Sequence, residues 1–233
     1  MIAIHNIDYN PQVDLIGTAH FTRRSLYDAY EAVRTLKPEE VALELDWRRF
    51  RQLNTACIHC PNRGSCGGTC EFIGTAEALG NIDAHIWLID MTEQEMKRKI
   101  RSIMTPHERS LQRFPTHSHE VENPVWLWEK GFKEQVIYNS KRQIEANRRF
   151  FPSVWRVLID ERNALMATRL AWIASNNRDE GKDSRILTFV GAAHVEGIRE
   201  LLGNPLQIRE SLQRFNLSFT EPTLIRRVAV KAI

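Results

Sequence analysis

The chain has no long apolar run: its longest is about five residues, against the roughly 20 needed to cross a bilayer as a helix. No membrane-spanning helix is therefore expected. It also lacks an excess of charge. The 32 Lys and Arg against 29 Asp and Glu leave +3, too little to announce a nucleic-acid partner. The opening MIAIHNIDYN has neither a basic stretch nor a long apolar core, so a secretory signal is not expected and a cytoplasmic location is. No low-complexity segment or short-period repeat appears. Cysteine is scarce, with only 4 residues, and all of them fall between 57 and 70.

What is there suits one globular unit. The 233 residues, 42% hydrophobic and 26% charged, are enough to bury a substantial core without covalent staples. Val13 to Ile16 is a short apolar run broken by Asp14, and Gly17 is read as the turn at its end. Leu26, Ala29, Tyr30, Val33 and Leu36 keep helical spacing, with Thr22 as N-cap and Lys37-Pro38 as the stop. Val41 to Leu45 is a second strand of the buried type. Strand, helix and strand of this length predict two parallel strands, with His20 and Glu44 at or just beyond their C-terminal ends. That edge is where open α/β sheets bind ligands.

The second half repeats the arrangement. Ile186 to Val190 is a strand, Gly191 its exit, and His194 stands at the same offset as His20, ahead of a helix marked by Val195, Ile198, Leu201 and Leu202. With 11 Gly and 8 His in the chain, chance gives about 0.4 Gly-x-x-His matches, so two of them, each behind an apolar strand, are informative. The expected fold is α/β: a mostly parallel central sheet with flanking helices, spanning 1–233 as one domain, with a Cys-rich insertion at 55–72 and a mainly helical segment over 92–176.

The four cysteines form Cys57-x2-Cys60-x5-Cys66-x3-Cys70 among Gly, Pro, Asn and Ser. Turn-rich sequence lets four thiolates converge on one ion, and metal ligation is the expectation over a disulfide or free thiols. Zinc is the commoner structural metal. The C-x2-C-P opening is also similar to iron–sulfur sites in some DNA-processing nucleases, so an iron–sulfur cluster stands as the alternative.

Other polar features are read more plainly. Asp90 ends the strand His85 to Asp90 and is expected to cap or face solvent, while Thr92-x-x-Glu95 is a capping box for a helix running to Met104. Arg49 and Arg51 read as a solvated helix start. His107, His117 and His119-Glu120 read as exposed loop residues, because they lack the spacing of a helical metal motif. A long helix is expected from Trp126 to Phe151, and a second from Pro152 to about Asn176. Asp160-Glu161-Arg162-Asn163 interrupts the apolar face of the second, and burying these residues is costly unless they meet partners. The tryptophans read as packing anchors.

GTAH at 17–20, VALELDWRR at 41–49, DERNALMATRL at 160–170 and FVGAAHVEGI at 189–198 together resemble the TraB/PrgY family, whose relatives include the Tiki metalloproteases and, more remotely, erythromycin-esterase-like proteins. The resemblance covers about 14–51 and 160–202. It implies a centre built from the two Gly-x-x-His histidines, a glutamate and an arginine, falling here on His20, His194, Glu44 and Arg48, with Arg162 also in a family motif. It further implies a hydrolase, peptidase-like, that depends on a divalent metal such as manganese, cobalt or zinc. Longer members add a membrane-spanning C-terminal region, and no such span is expected within these 233 residues. The Cys-rich segment is not part of the family's pattern and reads as an insertion.

The expected mechanism places His20 and His194 as neutral imidazole ligands, Glu44 as ligand or general base, and Arg48 or Arg162 against the developing oxyanion, with a peptide or other small molecule as substrate. A non-catalytic binder that sequesters a peptide signal is the alternative. A third reading joins the cysteines to Lys97-Arg98-Lys99-Arg101 as a nucleic-acid grip, which the small net charge disfavours. The sequence is compatible with a homo-oligomer.

Overall fold

A computed structural model describes residues 12–20, 22–57, 71–72, 75, 78–81, 84–111, 124–182 and 185–225. The segment 58–70, and with it three of the four cysteines, as well as His117 and His119-Glu120, lie outside the described residues. So does the cysteine knuckle as a whole, since of Cys57 only the backbone is described.

Five strands make one mixed sheet in the order β1 (Val13–Thr18), β4 (Ile186–Gly191), β2 (Glu40–Leu43), β3 (His85–Leu88), β5 (Thr223–Ile225). The first four are parallel, and β5 runs antiparallel to β3 on the outer edge. The helices are α1 (Arg23–Leu36), α2 (Trp47–Cys57), α3 (Glu93–Ile103), α4 (Pro106–Leu111), α5 (Pro124–Glu129), α6 (Lys133–Phe150), α7 (Pro152–Trp155), α8 (Arg162–Asp179), α9 (Val195–Leu202) and α10 (Pro205–Arg214), with a π-helical turn, Arg156–Glu161, joining α7 to α8. None of the described helices is long and apolar enough to cross a membrane.

The central strands β2 and β4 are buried on both faces, as the middle of a parallel sheet between helical layers requires. Val41, Leu43, Leu187 and Phe189 pack with Ala29 and Val33 of α1 and Phe50 of α2. Their neighbours Ala42, Ile186 and Val190 pack with Met166, Leu170 and Ile173 of α8, Ile198 and Leu202 of α9, and Ile208 and Leu212 of α10. Alternation with period two thus sends successive residues to opposite layers.

Thr22 caps α1 by accepting the Ser25 N–H, and Lys37 ends it in the left-handed region at φ 45°. Thr92 caps α3 by accepting the Glu95 N–H, as the capping-box pattern predicts. The long helix expected from Trp126 is divided in two at Gly131, whose φ of 87° no continuing helix can accept. Gly17 is a correction of a different kind. It lies inside β1, not in a turn, and a Cβ there would meet Val195 Cγ2 at 3.0 Å and the Ala192 backbone at 3.2 Å. Its missing side chain serves the close approach of the two strand–turn–helix units.

Glu108 ties the helical segment together. Its carboxylate, 1% exposed, accepts the Thr105 N–H at 2.8 Å, the Thr105 hydroxyl at 2.9 Å and the Ser153 N–H at 2.7 Å. Burial acts to raise its pKa, but those donors outweigh it and hold the group below its ordinary 4.5. A carboxyl lowered on folding contributes stability above its unfolded pKa and loses it as pH falls through the folded value. Glu108→Gln should therefore cost about 1–3 kcal/mol at pH 7. In urea unfolding followed from pH 7 to pH 3, the gap between variant and wild type should narrow as the pH drops.

Candidate functional site

The strand order assembles the site. Because β4 lies between β1 and β2, the residues that follow β1, β4, β2 and β3 meet along one C-terminal edge: His20, His194, Glu44 and Asp90. The turn that carries His20 is fixed from α1 and α5. Ser25 Oγ accepts the Ala19 N–H at 2.9 Å and donates to the Ala19 carbonyl at 3.0 Å, and Trp128 Nε1 donates to the same hydroxyl at 3.1 Å. Trp128 is accordingly a buried anchor, whereas Trp47 and Trp126 are about half exposed.

Glu44 is the hub. Its Oε2 accepts the Gly191 N–H at 2.6 Å. Its Oε1 lies 3.6 Å from His20 Nε2 and 3.5 Å from His194 Nε2, and it accepts from Arg162 Nη2. Arg162 is held in turn by Asp90, through Nε to Oδ1 at 2.8 Å and Nη2 to Oδ2 at 2.7 Å, while its Nη1 points at His194 Nε2 at 3.0 Å. His194 Nδ1 donates to Asn163 Oδ1 at 2.6 Å, which leaves Nε2 as the bare nitrogen facing the cluster. His20 Nδ1 donates to Glu71 Oε1, so its Nε2 also faces Glu44. Both imidazoles are thus anchored at Nδ1 and presented through Nε2, the arrangement that orients metal-ligating histidines.

The electrostatics follow from this packing. Burial acts to raise the Glu44 pKa, but the neighbouring His194, His20 and Arg162 outweigh it, so the carboxylate is held well below its ordinary range. Asp90 is likewise lowered against its burial by Arg162 and Arg49. His194 goes down: burial lowers it, the Glu44 carboxylate opposes that, and the Arg162 charge adds to the fall. His20, its side chain 27% exposed, moves the other way: burial alone would lower it, yet the carboxylates of Glu44 and Glu71 push it up to about 10. At neutral pH this arrangement holds a protonated His20 between two carboxylates.

Gly191 lets these groups close in on the end of β4. A Cβ there would lie 3.0 Å from His20 Nε2, 3.4 Å from Glu44 Oε2 and 3.6 Å from His194 Cδ2. The glycine of the second Gly-x-x-His unit is therefore demanded by the cluster itself, not by positive φ.

His20, His194, Glu44 and Arg162 come together as the sequence suggested. Arg48 does not join them. Its side chain is exposed and borders a hollow with Glu93, Lys97 and Arg101. The arginine of α2 that reaches inward is Arg49, whose Nε donates to Asp46 Oδ2 at 2.6 Å and whose Nη2 donates to Asp90 Oδ2. The expectation that Arg49 is merely solvated is corrected accordingly, and so is the capping or solvated role for Asp90, which is buried between two guanidinium groups. Glu161 and Asn163 are also buried, and Glu161 meets the partners its burial demands, Lys99 and Arg156.

Arg169, seven residues after Arg162 on the same helix, donates to the Ile89 and Asp90 carbonyls at 3.0 and 2.6 Å and pins the end of β3. Glu71 carries no signal in the sequence. It is 5% exposed, and among the described residues its second oxygen has no hydrogen-bond partner.

Asn163 can reach His194 because Gly197 makes room: a Cβ at Gly197 would stand 2.3 Å from Asn163 Nδ2. Gly197→Ala is expected to push Asn163 off the ring and to reproduce the phenotype of Asn163→Ala, with both variants folded and both impaired at the site about 10- to 100-fold. A Gly197→Ala protein indistinguishable from wild type would show that the contact does not matter.

No family model matches the chain, and no solved structure matches it. The chain is similar to an uncharacterized protein of Methanocaldococcus jannaschii, with 25% identity over 232 residues covering 85% of this chain and 56% of the relative. It therefore spans little more than half the length of that protein.

Proposed function

We propose that the chain is a metal-dependent hydrolase of amide bonds, acting on peptides, with His20, His194 and Glu44 holding one divalent cation. The supporting observation is the approach of both Nε2 atoms to a single carboxylate oxygen, at 3.6 and 3.5 Å. Donors bonded to one tetrahedral ion at about 2.0–2.2 Å lie roughly 3.3–3.6 Å apart, so the donor chemistry and spacing fit. Among the described residues no group of three such side chains already stands arranged as a metal centre. Arg162 occupies Glu44 Oε1 and His194 Nε2, and must yield those two contacts for a cation to enter. A bound cation would supply hydroxide at neutral pH by lowering the pKa of its water to about 7.

The chain's own groups do the rest. Asp90 keeps Arg162 at the site through Nε and Nη2, so the guanidinium remains as a fixed positive charge for the oxyanion that forms on the attacked carbonyl. Asn163 holds His194 with Nε2 bare, and Glu71 holds His20 in the matching orientation. His20 must shed its proton to act as a ligand. The resemblance to the TraB/PrgY family points the same way.

The test is cleavage of a synthetic peptide mixture, read by mass spectrometry, with manganese, cobalt or zinc supplied in turn. Wild type should cleave with at least one of the metals, and the His20→Ala, His194→Ala double variant should not. Equal cleavage by both proteins, or none by wild type under any metal, would overturn the proposal; peptide retained uncut would instead identify a binder.

A further inference from the structure

Beside the site lies a basic groove that the proposed chemistry does not use. Three adjoining hollows form it: one between α2 residues Trp47, Arg48 and Arg51, one between Arg48 and the α3 residues Lys97, Arg98 and Arg101, and one from Lys97 and Arg101 to Arg109 of α4. Six cationic side chains line them against a single carboxylate, Glu93, which pairs with Lys97. Among the described residues Arg51, Arg98 and Arg101 form no ion pair with a carboxylate, and Arg48 shares Glu93 with Lys97 only at longer range. Cations gathered without counter-charges repel one another, which costs stability unless an anion visits them.

The groove flanks the sheet edge that carries the site. Arg48 precedes Arg49, which grips Asp90, and Glu93 and Gln94 begin the helix that follows Asp90.

We infer that this groove binds an acidic peptide segment, so that the substrates of the hydrolase proposed above carry Asp or Glu residues beside the bond that enters the site. The inference rests on that hydrolase reading for its consequence, though not for the binding itself. Lys97 and Arg101 lie one helical turn apart, a rise of about 6 Å. Alternate side chains of an extended peptide are spaced about 6.6 Å, so carboxylates at every second position meet successive cations. Trp47, 50% exposed and stacked on Phe50 at 5.7 Å, offers an apolar face at the α2 end. A nucleic acid fits less well, because a net charge of +3 supplies little of the long-range field that drives backbone binding.

The test uses the full chain and a dye-labelled peptide alternating Glu with Ala, followed by fluorescence anisotropy at low salt. Wild type should bind it at least tenfold more tightly than the same peptide with Gln for Glu. Lys97→Glu with Arg101→Glu should lose at least tenfold, with an unchanged melting temperature showing that the fold is intact. Equal binding of the Gln peptide, no loss on charge reversal, or tighter binding of a single-stranded oligonucleotide of the same charge would each overturn the inference. Repeating the titration with the His20→Ala, His194→Ala protein separates the two proposals. Retained binding without any cleavage by wild type leaves the groove standing and removes the hydrolase; cleavage indifferent to peptide charge does the reverse.

Discussion

Replacing Arg162 with leucine will destabilise the protein more than any other single change at the site, by about 3–5 kcal/mol. The guanidinium satisfies both oxygens of Asp90, reaches Glu44 Oε1 and faces His194. Asp90 and Glu44 are both nearly inaccessible; Arg162 is the chief group that keeps Asp90 ionised, and with His194 and His20 it keeps Glu44 so. Removing the cation leaves two buried negative charges close together with Arg49 and His20 as remaining partners, a far larger loss than that of one hydrogen bond. Chemical denaturation of wild type and Arg162→Leu measures it directly. A double-mutant cycle with Asp90→Asn should return a coupling of about 1–3 kcal/mol. A loss under 1 kcal/mol for Arg162→Leu would mean that water, not the protein, satisfies the carboxylates.

Gly191→Ala should do the opposite: little harm to the fold, severe harm to the site. The added methyl would press on His20 Nε2 at 3.0 Å and Glu44 Oε2 at 3.4 Å. The His20 side chain is partly exposed and can swing aside, so the expected stability cost stays near 1–2 kcal/mol, within the range for overpacking. A displacement of about 1 Å in a reacting group is enough to lower a rate about 100-fold. Peptide hydrolysis should therefore fall by at least that factor while the melting temperature moves only a few degrees. Activity within threefold of wild type would show that the space above Gly191 is not where the chemistry occurs.

The parts of this site that could be read from the sequence are those with a local signature. His20 and His194 each follow an apolar strand and a glycine, Glu44 ends another strand, and Arg162 interrupts an apolar helix. What the sequence withheld depends on direction and order. Arg48 and Arg49 are chemically alike, and a helix turns about 100° between neighbours, so only the packing of α2 decides which one meets Asp90. The insertion of β4 between β1 and β2 is a long-range pairing that no local pattern encodes, yet it alone brings the two histidines together. Asp90 looked like a cap because its partners come from distant helices α2 and α8. Glu71 follows the cysteine-rich stretch with no periodicity to mark it, and Gly17 looked like a turn because the close approach of Ala192 and Val195, far away in sequence, leaves no trace in its neighbours.

The central claim is that two imidazoles and one carboxylate hold a single cation. The most direct measurement is the divalent metal content per chain, by inductively coupled plasma mass spectrometry, of protein loaded with manganese, cobalt or zinc and then desalted. Wild type and the His20→Ala, His194→Ala variant would be compared in a background where Cys57, Cys60, Cys66 and Cys70 are all serine, so that thiolates contribute nothing. The account predicts one equivalent in the first protein and none in the second. Equal metal in both, or none in either, would contradict it and leave Arg162 as the permanent cation of the site.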